Sequence, residues 1–150
     1  MSISFAFPNN ALQINGLRVL VVDDNIDSLF LIKAILEEYD VQVSTAVSVQ
    51  QALEAIAQNQ PDVLISDIIM PIEDGYDLIG KVRNLPPEQG GLIPAIALTA
   101  GDIEQGRAMA IAAGFQIYES KPIDPDALVA AIALVGFSSK AHQPLEQVLS

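Results

Sequence analysis

Arg18-Val19-Leu20-Val21-Val22-Asp23-Asp24 is the stretch on which the fold turns. Its apolar run is short, uninterrupted and rich in β-branched residues, the pattern of a strand buried on both faces. It stops abruptly at two carboxylates. The same grammar returns downstream, where Asp62-Val63-Leu64-Ile65-Ser66 runs into Asp67.

Working outward, strand-like and helix-like runs alternate. Further strands are predicted over 41–46, over 93–98 ending at Thr99, and over 115–119 ending near Lys121-Pro122. Asp27 or Ser28 can cap a first helix that runs to about Tyr39. Ser48 caps a second, through Ala52, Leu53, Ile56 and Ala57, and Pro61 stops it. A loop with Pro71 and Gly75 leads to a helix over about 76–84. Residues 86–91, Pro-Pro-Glu-Gln-Gly-Gly, read as a surface loop. A fourth helix covers 103–113 and closes at Gly114. Asp124 caps the last, with Pro125 at its first position and Gly136 after its end. Five strands alternating with five helices predict an α/β protein, a flavodoxin-like doubly wound parallel sheet of order 2-1-3-4-5. Residues 1–16 read as an N-terminal arm, 17–136 as the folded domain and 137–150 as a C-terminal tail.

The bulk composition agrees. A chain of 150 residues suits one domain, and 51% hydrophobic against 17% charged residues is a packed globular balance. Aromatics are only 5%, so the core must be aliphatic. The formal net charge of -12 disfavours nucleic acid and anionic lipid, and suits Mg²⁺ or a basic protein. Cysteine is absent, which removes disulfide and thiolate chemistry and fits a cytoplasmic location. The longest uncharged stretch, 1–17, contains Pro8, Asn9, Asn10 and Asn15 and lacks the basic start of a signal peptide. The apolar run 127–135 is far too short to span a membrane.

In doubly wound sheets the functional crevice lies at the carboxyl ends of the strands. Strand 1 delivers Asp23 and Asp24 there, strand 3 Asp67, strand 4 Thr99 and strand 5 Lys121. Clustered carboxylates repel one another unless a cation joins them, and Mg²⁺ takes one or two carboxylates, waters and a phosphate oxygen. One carboxylate can then act as nucleophile toward a phosphoryl group, whose spreading charge Lys121, Thr99 and the metal would stabilise.

Val21-Val22-Asp23-Asp24-Asn25, Ser66-Asp67-Ile68-Ile69-Met70-Pro71, Leu98-Thr99-Ala100 and Lys121-Pro122 resemble the CheY-like receiver domains of two-component response regulators. The likeness covers about residues 17–136. It implies a phosphoprotein of a phosphorelay, not a turnover enzyme, that accepts its phosphoryl group from a histidine kinase or histidine phosphotransfer protein and signals to a downstream protein. By position, Asp67 would be the phosphoacceptor. Asp23 and Asp24 would hold Mg²⁺, Asp24 the closer, with Asp67 and the backbone carbonyl of Ile69. Thr99 and Lys121 would bond phosphoryl oxygens, Thr99 and Tyr118 would form the switch pair, and Lys121-Pro122 would be cis. Asp23-Asp24-Asn25 and 85–91 further resemble receivers attached to hybrid histidine kinases.

Plainer readings stand beside these. Asp24 and Asp27 could be ordinary helix-start residues, Lys121 a surface lysine, and Tyr118 core packing with a satisfied hydroxyl. His142 lies in the tail, away from any motif. In the first helix Leu31, Ile32, Ile35, Leu36 and Tyr39 are expected to form the core stripe, with Phe30 opposite, near the acidic edge, as a candidate partner contact. Among rival functions, a phosphatase of the haloacid dehalogenase type also uses a strand-end Asp. It needs a second Asp two positions on, and here Asn25 and Ile69 stand there. A flavodoxin-like binding module would want a phosphate-cradling loop after strand 1, where Asp23-Asp24 would repel the phosphate.

Overall fold

The computed structural model describes residues 14–100 and 103–136. Five parallel strands form one sheet: β1 (Arg18–Val22), β2 (Gln42–Ala46), β3 (Val63–Asp67), β4 (Ala95–Thr99) and β5 (Ile117–Ser120). Their order is β2-β1-β3-β4-β5. The helices are α1 (Ile26–Glu37), α2 (Val49–Asn59), α3 (Gly75–Arg83), α4 (Ile103–Ala113) and α5 (125–136), with a 3₁₀ turn at Pro87–Gln89. The expected doubly wound architecture is the one observed.

Alternation along each strand divides the core. Val19, Val21, Val63, Ile65, Ile96 and Leu98 face Leu29, Ile32 and Leu36 of α1 and Leu128 and Ile132 of α5. Leu20, Val22, Leu64, Ala95 and Ala97 face the other way, against Ile56 of α2, Leu78, Ile79 and Val82 of α3 and Ala110 of α4. Because β1, β3 and β4 are covered on both faces, their sequences read as unbroken apolar runs.

Local chemistry moves several expected boundaries. The first helix is capped by Asn25, not by Asp27 or Ser28: the Asn25 Oδ1 accepts the Ser28 amide at 3.0 Å. Starting there, the buried stripe is Leu29, Ile32 and Leu36, at helical spacings of three and four. Leu31, expected in that stripe, is 52% exposed, while Ile35 and Tyr39 are partly buried. Ser48 caps α2 as expected, accepting the Gln51 amide. Asp74 begins α3 one residue early through a reciprocal capping box with Asp77. Gly136 lies within α5 rather than after it. A Cβ there would come within 2.8 Å of Leu17 Cδ1, so the glycine serves close packing. At the start of the chain, Ile14 is fully buried and Gly16 donates to the Asp40 carbonyl, so the arm expected over 1–16 has packed residues at its carboxyl end. Residues 1–13, residues 101–102 and the tail 137–150 with His142 lie outside the described residues.

Candidate functional site at the carboxyl edge of the sheet

The crevice lies where β1 and β3 part company, since β1 turns toward β2 and β3 toward β4. Four of the five strand ends deliver the groups. Asp23 follows β1 directly and is buried, while Asp24, next in sequence, is exposed. Asp67 ends β3 and Thr99 ends β4, and both are buried. Lys121 follows β5, its backbone fixed by donation to the Thr99 carbonyl at 2.8 Å, and the Lys121-Pro122 bond is cis, as the resemblance implied.

These side chains meet. Carboxylate oxygens of Asp23, Asp24 and Asp67 all lie within 4.8 Å of one another. The Lys121 ammonium bridges two of them, 3.1 Å from Asp23 Oδ2 and 3.4 Å from Asp67 Oδ2. Asp23 Oδ1 also accepts the Asn25 amide at 2.9 Å, so the N-cap of α1 and the acidic site are built on one turn. The Ile69 amide donates to Asp67 Oδ1 at 3.4 Å, while the Ile69 side chain points out, 65% exposed.

The electrostatics follow from burial. Desolvation, reinforced by the Asp23 charge, raises the Asp67 carboxyl to about 6, although Lys121 and the Ile69 amide pull the other way. Burial would lower the Lys121 ammonium, but its hydrogen bond and charge contact with Asp23, and then Asp67, outweigh that and hold it above its ordinary value. One ammonium thus faces three carboxylates, and the cluster lacks positive charge. A divalent cation fits this donor set: hard oxygens, close together, on a partly open edge.

Two residues that sequence reasoning passed over shape the site. Gly75 opens α3 and donates its amide to the Ile68 carbonyl at 2.8 Å. Any Cβ at Gly75 would lie 2.5 Å from the Asp67 carbonyl, so only glycine lets α3 pack on the Asp67 peptide. In the sequence it is only a Gly directly after Asp74, which says nothing of what lies opposite it. Ser66, buried, donates its hydroxyl to the Asp67 carbonyl at 2.9 Å. Tyr118 is 6% exposed on β5, and Phe30, on the outer face of α1, is 67% exposed.

Comparison with known proteins agrees with this geometry. Residues 19–133 match the response regulator receiver domain. A 14.6 kDa protein of Leptolyngbya boryana from the sodA1 3' region is 42% identical over 111 residues, covering 74% of this chain and 83% of its own length. The response regulator SaeR of Staphylococcus aureus is 31% identical over 87% of this chain, which spans only 56% of SaeR. The receiver domain of the Pseudomonas aeruginosa sensor histidine kinase PA1611, solved with a magnesium ion in its active-site cleft, superposes with a TM-score of 0.73 at 27% identity, covering 81% of this chain and 98% of that one. With the strand order, the acidic cluster and these matches in agreement, the chain belongs to the response regulator receiver domain family, the phosphoacceptor switches of two-component signalling.

Proposed function

We propose that the chain takes a phosphoryl group from a phosphohistidine onto Asp67. The observation that carries this assignment is where that carboxylate sits. Asp67 ends β3, the central strand at the switch point, with an oxygen within 4.8 Å of those of Asp23 and Asp24 and 3.4 Å from the Lys121 ammonium. An Asp67 oxygen attacks phosphorus, the P–N bond breaks, and its electron pair leaves with the imidazole of the donor. Lys121, already bridging Asp23 and Asp67, is placed to follow the charge onto a phosphoryl oxygen, and the Thr99 hydroxyl offers a further hydrogen bond.

Asp23, Asp24, Asp67 and the Ile69 carbonyl are the groups that would hold Mg²⁺, with Asp24 the closer ligand; when bound, the ion neutralises carboxylate and phosphoryl charge. The magnesium in the Pseudomonas receiver supports this reading. Thr99 and Tyr118 are the pair through which the modified site would alter the surface. Self-dephosphorylation would be slow, since Ile69 offers only hydrocarbon to a water attacking behind phosphorus. The domain proper is assigned to 17–136, between an arm over 1–16 and a tail over 137–150.

Two-component membership implies a histidine kinase partner; the donor is that kinase or a histidine phosphotransfer protein. The rim around Asp24 suits such a protein surface: Ile26, Phe30 and Ile69 are all more than half exposed beside the acidic edge. No helix among the described residues is long and apolar enough to cross a membrane, and we place the domain in the cytoplasm with its donor. Acetyl phosphate with Mg²⁺, followed by intact-mass measurement, tests the assignment. Wild type should gain one phosphoryl group only when Mg²⁺ is present, and Asp67→Asn should gain none. A full gain in Asp67→Asn would overturn it.

A further inference from the structure

Gly80 and Gly106 both sit in mid-helix, and their surroundings differ. A Cβ on Gly80 of α3 would meet nothing within 4 Å. A Cβ on Gly106 of α4 would lie 2.6 Å from the Tyr118 hydroxyl oxygen and 3.0 Å from two carbons of its ring. These are atoms at the far end of a rotatable side chain, so the ring would give way before the helix backbone did. The ring also borders a groove of about 280 Å³, lined by Arg107 and Ile111 of α4 and Glu119 of β5. A ring displaced from its buried place against Gly106 therefore has an outer space to enter.

We infer that Gly106 is a positioning residue for Tyr118: its missing Cβ creates the buried seat for the ring, and any side chain there drives the ring outward. The consequence for signalling rests on the proposed role of Thr99 and Tyr118 as the switch pair. Thr99 and Ser120 are paired across β4 and β5, and Tyr118 pairs with Ala97, so the ring sits two residues below the site on the same pair of strands. If the modified site favours the buried ring, filling the seat must weaken the site's response, and the same steric term couples α4 to the site.

The test uses the full chain labelled with 3-fluorotyrosine, whose three tyrosines, Tyr39, Tyr76 and Tyr118, are assigned by Tyr→Phe replacement. The solvent isotope shift of each fluorine resonance reports burial. Tyr118 should read as buried in wild type and in Gly80→Ala, and as exposed in Gly106→Ala. A buried signature in Gly106→Ala overturns the inference. Should Gly106→Ala not fold, Gly106→Ala/Tyr118→Ala must fold, because the clash is gone; an unfolded double variant overturns it equally. A second arm titrates beryllofluoride, a phosphoryl mimic, with Mg²⁺. Gly106→Ala should need about fivefold more mimic than wild type and make no difference in a Tyr118→Ala background. Equal binding by Gly106→Ala and wild type would sever the seat from the site. Failure of wild type to bind the mimic would instead refute the phosphoacceptor reading, while the fluorine measurement still decides the role of Gly106.

Discussion

The strand β3 holds two opposite environments four residues apart at most. Val63, Leu64 and Ile65 are fully buried, each between helices on one face or the other. Burying such side chains stabilises the fold by about 1.5–3 kcal/mol apiece. Asp67, at the end of the same strand, is nearly as buried, yet its burial opposes folding at neutral pH because the carboxylate is desolvated beside Asp23. The sheet interior makes the stability, and its carboxyl edge holds a charge that Lys121, the Ile69 amide and a cation would make tolerable. A site of this kind stands on a stable framework that it weakens itself.

Substitutions in the two environments should act in opposite directions. The largest effect belongs to the interior. Leu64→Ala should destabilise by roughly 3 kcal/mol, seen in denaturant unfolding, because the packed strand cannot collapse around the void. At the edge the sign reverses. The Asp67 carboxyl is raised from 3.8 unfolded to about 6 folded, so the folded state binds its proton more tightly. The associated stability is fully present below about pH 4 and is lost as pH rises through 6. Metal-free Asp67→Asn should therefore exceed wild type by roughly 2 kcal/mol at pH 7.5, with the gap closing near pH 4. Added Mg²⁺ should narrow the gap at pH 7.5. A wild type more stable than Asp67→Asn at pH 7.5 without metal would contradict the electrostatic account.

Beyond the edge, effects should move from stability to recognition. Phe30→Ala should slow phosphoryl transfer from a histidine phosphotransfer protein by about tenfold while leaving the acetyl phosphate rate unchanged. Equal slowing by both donors would locate the defect in the site. The smallest effect lies in the loop after Asp67. Ile72 has φ +71° and a fully exposed side chain, a left-handed backbone that a β-branched residue resists. Ile72→Asn should gain about 1 kcal/mol in thermal or denaturant unfolding by relieving that strain. Unchanged or lower stability would mean that the loop carries no such strain.

Sequence made the framework legible where one physical rule dominates. The buried strands announced themselves by unbroken apolar runs, and the strand ends then placed Asp23, Asp24, Asp67, Thr99 and Lys121 on one edge, as observed. Capping was harder to read, because Asn25, Asp27 and Ser28 are all competent and only the geometry of the β1–α1 turn selects Asn25. The buried face of α1 was also misjudged, since it takes in Leu29 and leaves Leu31 exposed. The close approaches were illegible, since a glycine does not reveal what lies opposite it. Gly75 faces the Asp67 carbonyl, Gly106 faces Tyr118 and Gly80 faces nothing, though all three look alike as letters. Nor could the sequence tell that Lys121 would span Asp23 and Asp67 together, a matter of side-chain reach.

The claim at the centre of this account is that one carboxylate of three is the phosphoacceptor. Borohydride reduces an aspartyl phosphate to homoserine and so marks the modified residue permanently. Wild-type protein treated with acetyl phosphate and Mg²⁺, reduced, digested and sequenced by tandem mass spectrometry should carry homoserine at position 67 and keep aspartate at 23 and 24. Homoserine at Asp23 or Asp24, with Asp67 intact, would contradict the account.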